Sequence, residues 1–345
     1  MTRTLWVGCQ TDETGTNGLI RAEVSGPDVV EQTGSWQFET PGWLTSSNGI
    51  VYATQHTSNS PVAALRLTDR GPQVLSHVAT DGVDGCHAAL DPTGRLLAVA
   101  HYTSGSVALL STTDEGELTL LDVFQLQGAS GVVPDRQEAP HAHHIEWLSD
   151  DQLFVCDLGA DLIRRLQVVD GHLVEDPGIQ MPAGFGPRHL VSRRLGNDLL
   201  LAVAGELTGQ VAVVRLDDEG NDALVGLFDG SASPDAQPSG IRLDHRDRLW
   251  VGQRRVDTLA QMEWHPNGLI GPFIEHPAGG EGVRDLLVEP AGSGPGASGT
   301  RLWIALKQGN LVQSFTETDD GLVAGRPLEV TAPMSLLWQH EVRPG

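Results

Sequence analysis

Arg188, Arg254, Arg284 and Lys307 each stand at the edge of a short apolar run, in a chain whose 45 acidic residues outnumber 22 basic ones and leave a formal charge of −23. Where the bulk of the chain is so acidic, a few convergent cations mark a local site for an anionic small molecule. Glu206 and His143 stand at similar run edges, and their side chains are of the types that transfer protons near neutral pH. The chemistry these six residues can support is anion binding coupled to acid–base catalysis. His87, His101 and His141, with Lys307 and Arg284, form the wider set of binding candidates, and Asp157 and His189 occupy comparable places.

Other chemistries find less support. The cluster His141-Ala142-His143-His144 has the composition of a metal site, but on an extended strand His141 and His143 point one way and His144 the other, so the segment supplies two ligands at most. Cys9, Cys86 and Cys156 are odd in number and lack CxxC spacing, so they read as small core residues rather than a disulfide framework or zinc site. No cofactor is expected. The GxSxG elbow of serine hydrolases and the glycine-rich phosphate loops are absent as motifs. The acidity disfavours nucleic acid and anionic membranes as partners. No apolar run is long enough to span a bilayer, and the amino terminus lacks the pattern of a signal peptide. The expectation is a cytoplasmic protein, a monomer or weak homo-oligomer, acting on a small anionic substrate.

The elements that must position these residues repeat. Leu97-Ala98-Val99-Ala100-His101, Leu153-Phe154-Val155-Cys156-Asp157, Leu201-Ala202-Val203-Ala204-Gly205-Glu206, Leu249-Trp250-Val251-Gly252-Gln253-Arg254 and Leu302-Trp303-Ile304-Ala305-Leu306-Lys307 share one pattern, and runs at Leu5 and Val51 bring the set to seven. A shorter strand and a turn precede six of them, and a polar turn with further strands follows. The unit starts at Trp43, His87, His143, His189, Gly240 and Arg284 lie roughly 44 to 56 residues apart, the period of four-stranded propeller blades. The expected fold is all-β: a single seven-bladed β-propeller domain over residues 1–345. Its seventh blade combines residues near Met334 with those near Trp6, which hides sheet edges. Residues 292–299 read as a solvated insertion within a hairpin. Residues 128–140 account for the longest spacing and read as an ordered loop over the functional face, from which Arg136 either reaches the pocket or forms a surface salt bridge.

In an up-and-down blade the start of the first strand and the end of the second lie at the same end of a hairpin. His87, His141, His143, Arg188, His189 and Arg284 from the first strands therefore share a face with His101, Asp157, Glu206, Arg254 and Lys307 from the second. A channel mouth lined in this way is a usual place for a small-molecule pocket.

The chain resembles the lactonase family of seven-bladed propellers, which includes the propeller-type 6-phosphogluconolactonases and the fungal carboxymuconate cycloisomerase. The resemblance runs along nearly the whole chain. It rests on Trp6-Val7-Gly8 with Thr11, Cys86-His87 before Asp91-Pro92-Thr93-Gly94-Arg95, and Tyr102-Thr103-Ser104-Gly105-Ser106-Val107. Its most specific part is Arg136-Gln137-Glu138-Ala139-Pro140-His141-Ala142-His143, with Val155-Cys156-Asp157-Leu158-Gly159, Gly186-Pro187-Arg188-His189-Leu190 and Val283-Arg284-Asp285 in support. It implies that His143, Arg188, Glu206 and Arg254 form the active site, and that the reaction is hydrolysis of a sugar lactone, 6-phosphogluconolactone to 6-phosphogluconate in the pentose phosphate pathway. The chain departs from family habit at His101, Gly205 and Gln253, where relatives commonly carry Asn. Two alternatives stay open: a carboxymuconate lactonising reaction on the same residues, and a non-catalytic propeller that binds a metabolite or protein.

Overall fold

The computed structural model describes residues 2–11, 16–25, 29–68, 70–290 and 299–339. The expected insertion at residues 292–299 lies outside the described residues except for Gly299. Among those described, every regular element is a β-strand, and no helix is long and apolar enough to cross a membrane.

The strands form seven antiparallel sheets in chain order, the arrangement of a seven-bladed β-propeller. Six of the apolar runs are second strands next to their own first strands: Ile50–Gln55 beside Pro41–Ser47, Leu96–His101 beside Gly85–Leu90, Gln152–Asp157 beside Ala142–Trp147, Asp198–Gly205 beside Pro187–Leu195, Arg248–Arg254 beside Gln237–Leu243, and Thr300–Leu306 beside Val283–Pro290. The remaining sheet joins both ends of the chain, Pro333–Trp338 pairing with Thr2–Cys9 as the sequence predicted. Its lock is local: Gln339 N donates to Thr4 O at 2.9 Å, and Trp6 Nε1 donates to Gln339 Oε1 at 2.9 Å.

Contacts divide the chain into two compact units. One comprises Met1–Glu23, Glu31–Gly186 and Met334–Gly345; the other comprises Val24–Val30 and Pro187–Pro333.

Why the second strands are apolar at nearly every position follows from their packing. Successive residues of a strand face opposite sides of the sheet. In the first unit Leu97 and Val99 pack with Ile50, Tyr52 and Val62 of the preceding blade, whereas Ala98 and Ala100 pack with Ile145, Leu153 and Val155 of the following one. Both faces are buried, so alternation disappears. Similarly, in the second unit Leu249 and Val251 pack toward Leu200 and Ala202, and Trp250 packs toward Val283 and Leu302.

One irregularity recurs where it matters for function. Near the start of the first strands the register slips, leaving an extra residue between Pro41 and Trp43, Gly85 and His87, Ala142 and His144, Pro187 and His189, and Val283 and Asp285. The extra residues are Gly42, Cys86, His143, Arg188 and Arg284. A bulge re-aims the side chain it carries. In the blade of Gln237–Leu243 the same one-residue slip is spread over Ser239 and Gly240, which stand opposite Gly252.

Candidate active site

The register defines the site more sharply than strand ends do. Pro187 pairs with Gly205, Pro238 with Gln253 and Val283 with Leu306, immediately before the slip in each blade. The residues that follow those second-strand partners are Glu206, Arg254 and Lys307, one equivalent position in three blades of the second unit. Each therefore stands at the end of its second strand next to a slip in the first, and two of those slips carry arginines, Arg188 and Arg284.

These side chains form one charged cluster. Arg188 and Glu206 are both buried, with 3% of each side chain exposed. Arg188 Nη1 lies 2.5 Å from Glu206 Oε2, and Arg254 Nη2 approaches the same oxygen from the next blade at 2.6 Å. Arg254 is 20% exposed, so part of its side chain stays open beside the buried pair. Burial, then the charge of Arg254, push the Arg188 guanidinium down to about 9; Glu206 opposes this and Arg284 adds to it. Lys307, whose amide N donates to Gly282 O at 2.9 Å, is pushed down to about 8 by burial and by Arg284 and Arg254. Two guanidinium groups thus meet one carboxylate, and Arg284 acts electrostatically on both Arg188 and Lys307, a concentration of positive charge suited to a multiply charged anion.

The first unit holds a second set of candidates. His143, the bulge residue of its blade, is buried, with its Nδ1 4.0 Å from Sγ of Cys86, the bulge residue of the preceding blade. Tyr102 stacks on His141 at 4.4 Å between ring centroids and meets His143 edge-on at 5.5 Å. His141 Nδ1 contacts Tyr102 O at 2.9 Å, and its Nε2 lies 3.3 Å from Glu138. Residues 128–140 are ordered, as expected, and Arg136 donates to the Tyr102 hydroxyl at 3.5 Å.

The register also separates residues that strand ends had grouped with Glu206. His101 pairs with Gly85 and Asp157 with Ala142, so both stand one position earlier than Glu206 and face the other way. His101 is fully buried, with its ring nitrogens against Thr80 Oγ1 at 2.7 Å and Ser106 Oγ at 3.0 Å, and burial pushes it down to about 4. Neither nitrogen is left for a substrate. Asp157 is buried against Arg164 at 2.7 Å and accepts from His141 N and Ala160 N. Trp43, His87 and His144 each follow their bulge and stack between blades, at 4.3 and 4.2 Å, and His87 Nδ1 accepts from Ile145 N. His87 is thereby placed in packing between blades. Tyr102, one residue past His101, holds the position equivalent to Glu206.

No group of three or more His, Cys, Asp or Glu residues among those described could hold a metal ion.

Residues 4–321 match the sequence profile of the family described as lactonase, 7-bladed β-propeller. The chain belongs to that family. Among individual relatives, the lactonase is 28% identical to a protein named 6-phosphogluconolactonase from Formosa agariphila, over 70% of this chain and 72% of that one. It is 27% identical to a protein named "Probable 6-phosphogluconolactonase" from Arthroderma benhamiae, over 92% of this chain and 83% of that protein. Its fold superimposes on that of the Pseudomonas aeruginosa periplasmic gluconolactonase with a TM-score of 0.84, at 23% identity and 99% coverage of both chains.

Proposed function

We propose that this lactonase hydrolyses 6-phospho-D-glucono-1,5-lactone to 6-phosphogluconate, as in the pentose phosphate pathway. The observation that carries the reading is the excess of positive charge at Arg188, Arg254, Arg284 and Lys307 in a chain of net charge −23. A phosphorylated lactone brings a dianion and an activated ester, and hydrolysis makes a second anion. The names of the Formosa and Arthroderma relatives support the same substrate.

In the reaction water adds to C1 of the lactone, the carbonyl oxygen becomes an oxyanion, and the C1–O5 bond breaks as O5 takes up a proton. Guanidinium groups stabilise such an oxyanion and bind phosphate in bidentate fashion. Arg188 and Arg254 stabilise the oxyanion, with Glu206 fixing their orientation, and Arg284 and Lys307 bind the phosphate. Two groups have the chemistry to accept the proton from water, Glu206 and His143. Turnover by purified Glu206→Gln and His143→Ala enzymes separates them. The base is the residue whose loss lowers kcat by about 100-fold or more and removes the acidic limb of the pH–rate profile. Wild-type turnover by both variants would refute the assignment.

A cytoplasmic location fits Cys9, Cys86 and Cys156, buried thiols that form no disulfide among the described residues and suit a reducing compartment. Cell fractionation tests it, and recovery in a periplasmic or secreted fraction would overturn it.

A further inference from the structure

Asp161 carries an unusual share of the hydrogen bonding in the first unit. It is 1% exposed, and four donors converge on its carboxylate. Gln137 Nε2 donates to Oδ1 at 2.7 Å and Gly186 N to the same oxygen at 2.8 Å; Ser130 Oγ and Gly184 N each donate to Oδ2 at 2.6 Å. Its own carbonyl accepts from Met181 N at 2.9 Å and from Gln180 Nε2 at 3.0 Å. Two of the carboxylate's partners, Ser130 and Gln137, lie in the loop of residues 128–140; the other two lie in the segment that runs directly into Pro187 and the bulge residue Arg188.

The loop is built around this acid. Gln137 is fully buried, donates also to Leu158 O at 2.9 Å and accepts from Val133 N at 3.2 Å. Where the loop ends, a Cβ on Gly159 would stand 1.8 Å from Ala139 O, and one on Gly105 would stand 2.3 Å from Pro140 O. The backbone therefore seats on glycines with no slack for a side chain. A loop packed this tightly onto one buried carboxylate has few alternative conformations while that carboxylate keeps its bonds.

We infer that Asp161 is a positioning residue for the lactonase reaction: its carboxylate fixes the loop that carries Arg136 and, through Gly184 and Gly186, the chain that delivers Arg188 to its bulge. This rests on the reading of Arg188 as a substrate-binding residue. Asp161 has a φ of 54°, in the left-handed region, which Asn tolerates as well as Asp. Asp161→Asn therefore preserves backbone and shape while replacing one acceptor oxygen by an NH2 group that opposes a backbone donor.

The experiment compares Asp161→Asn with wild type by limited trypsin digestion read by mass spectrometry, by steady-state kinetics on 6-phosphogluconolactone, and by thermal unfolding. The expected result is cleavage after Arg136 accelerated about tenfold or more, with the rest of the digestion pattern unchanged. With it goes a fall in kcat/KM of about tenfold or more, expressed mainly as a raised KM, and a shift in Tm of less than about 4 °C. Unchanged cleavage at Arg136 overturns the inference, as does an opened loop with wild-type kinetics. Acceleration at all sites together with a large fall in Tm also overturns it, because Asp161 is then a general support of the fold. If the wild-type enzyme itself leaves the lactone intact, the substrate reading fails, and the digestion alone decides whether Asp161 holds the loop.

Discussion

Arg188 donates to Glu206 across 2.5 Å within one blade, from the extra residue of a first-strand bulge to the residue one step beyond the adjoining second strand. Arg254 meets the same oxygen from the neighbouring blade, so one carboxylate sets the spacing of two guanidinium groups. With both partners buried, the pair cannot be exchanged for water without cost.

Glu206→Gln removes the charge and keeps the shape. It is expected to lower kcat/KM by about 100-fold or more, since both arginines lose their anchor. Stability should fall by about 3 kcal/mol, because Arg188 is left as a buried cation without its counter-charge. Steady-state kinetics and urea unfolding check the two effects; loss of neither would show that the pair is ornamental.

Lys307 supplies a pH signature. Its amine titrates near pH 8, against 10.5 for an ordinary lysine, so the enzyme should bind an anionic substrate less tightly as pH rises through about 8. KM measured from pH 6.5 to 8.5, below the range in which Arg188 loses its own charge, should rise in the wild type and change much less in Lys307→Met. The sign for stability is opposite. A folded-state value below the unfolded one means that charging the lysine opposes folding as pH falls from 10.5 through 8, so Lys307→Met should be the more stable protein at pH 7.

His101 titrates near 4 when folded, because of burial, and near 6.5 when unfolded. The unfolded chain therefore takes up the proton first, and stability is lost as pH falls from 6.5 toward 4, by roughly 3 kcal/mol in total. His101→Asn should flatten the urea midpoint across that window while leaving kcat/KM within about twofold, in keeping with a ring committed to Thr80 and Ser106. A large loss of activity would return His101 to the site.

A second network sets behaviour in acid. Arg248 bonds both oxygens of Glu317, at 2.5 and 2.8 Å, and reaches Asp244 at 2.8 Å. Hydrogen bonding from Arg248 holds the Glu317 carboxyl below 4.5, and bonds from Trp250 and Arg248 outweigh burial to hold Asp244 below 3.8. Depressed carboxylates contribute stability above their unfolded values and lose it as pH falls through the folded ones. Arg248→Met should therefore destabilise the protein by about 2 to 4 kcal/mol at pH 7 and by progressively less as acid protonates Glu317 and Asp244, as followed by thermal unfolding.

The seven runs were legible because burial on both sheet faces makes them apolar throughout, and their period and the shared terminal sheet followed from that. The pairing of Arg188 with Glu206 was legible in outline, since both flank such runs. What strand ends could not convey was the bulge. One inserted residue shifts every later pairing, and a single step turns His101 and Asp157 away while bringing Tyr102 into the place of Glu206. The stack of Trp43, His87 and His144 was hidden because its members come from three blades. Asp161 was hidden for a related reason: Ser130 lies 31 residues upstream of it and Gly186 lies 25 downstream.

Binding of a phosphorylated lactone by the cations of the second unit is checked by pH-stat measurement of proton release from freshly prepared 6-phosphogluconolactone and from unphosphorylated glucono-1,5-lactone, with wild type and an Arg284→Ala, Lys307→Met double variant. Two charge-assisted contacts to the phosphate predict a preference in kcat/KM of about 100-fold or more for the phosphorylated substrate, lost in the double variant. Equal turnover of both lactones by the wild type, or a preference that survives the double substitution, would show that these cations do not recognise the phosphate.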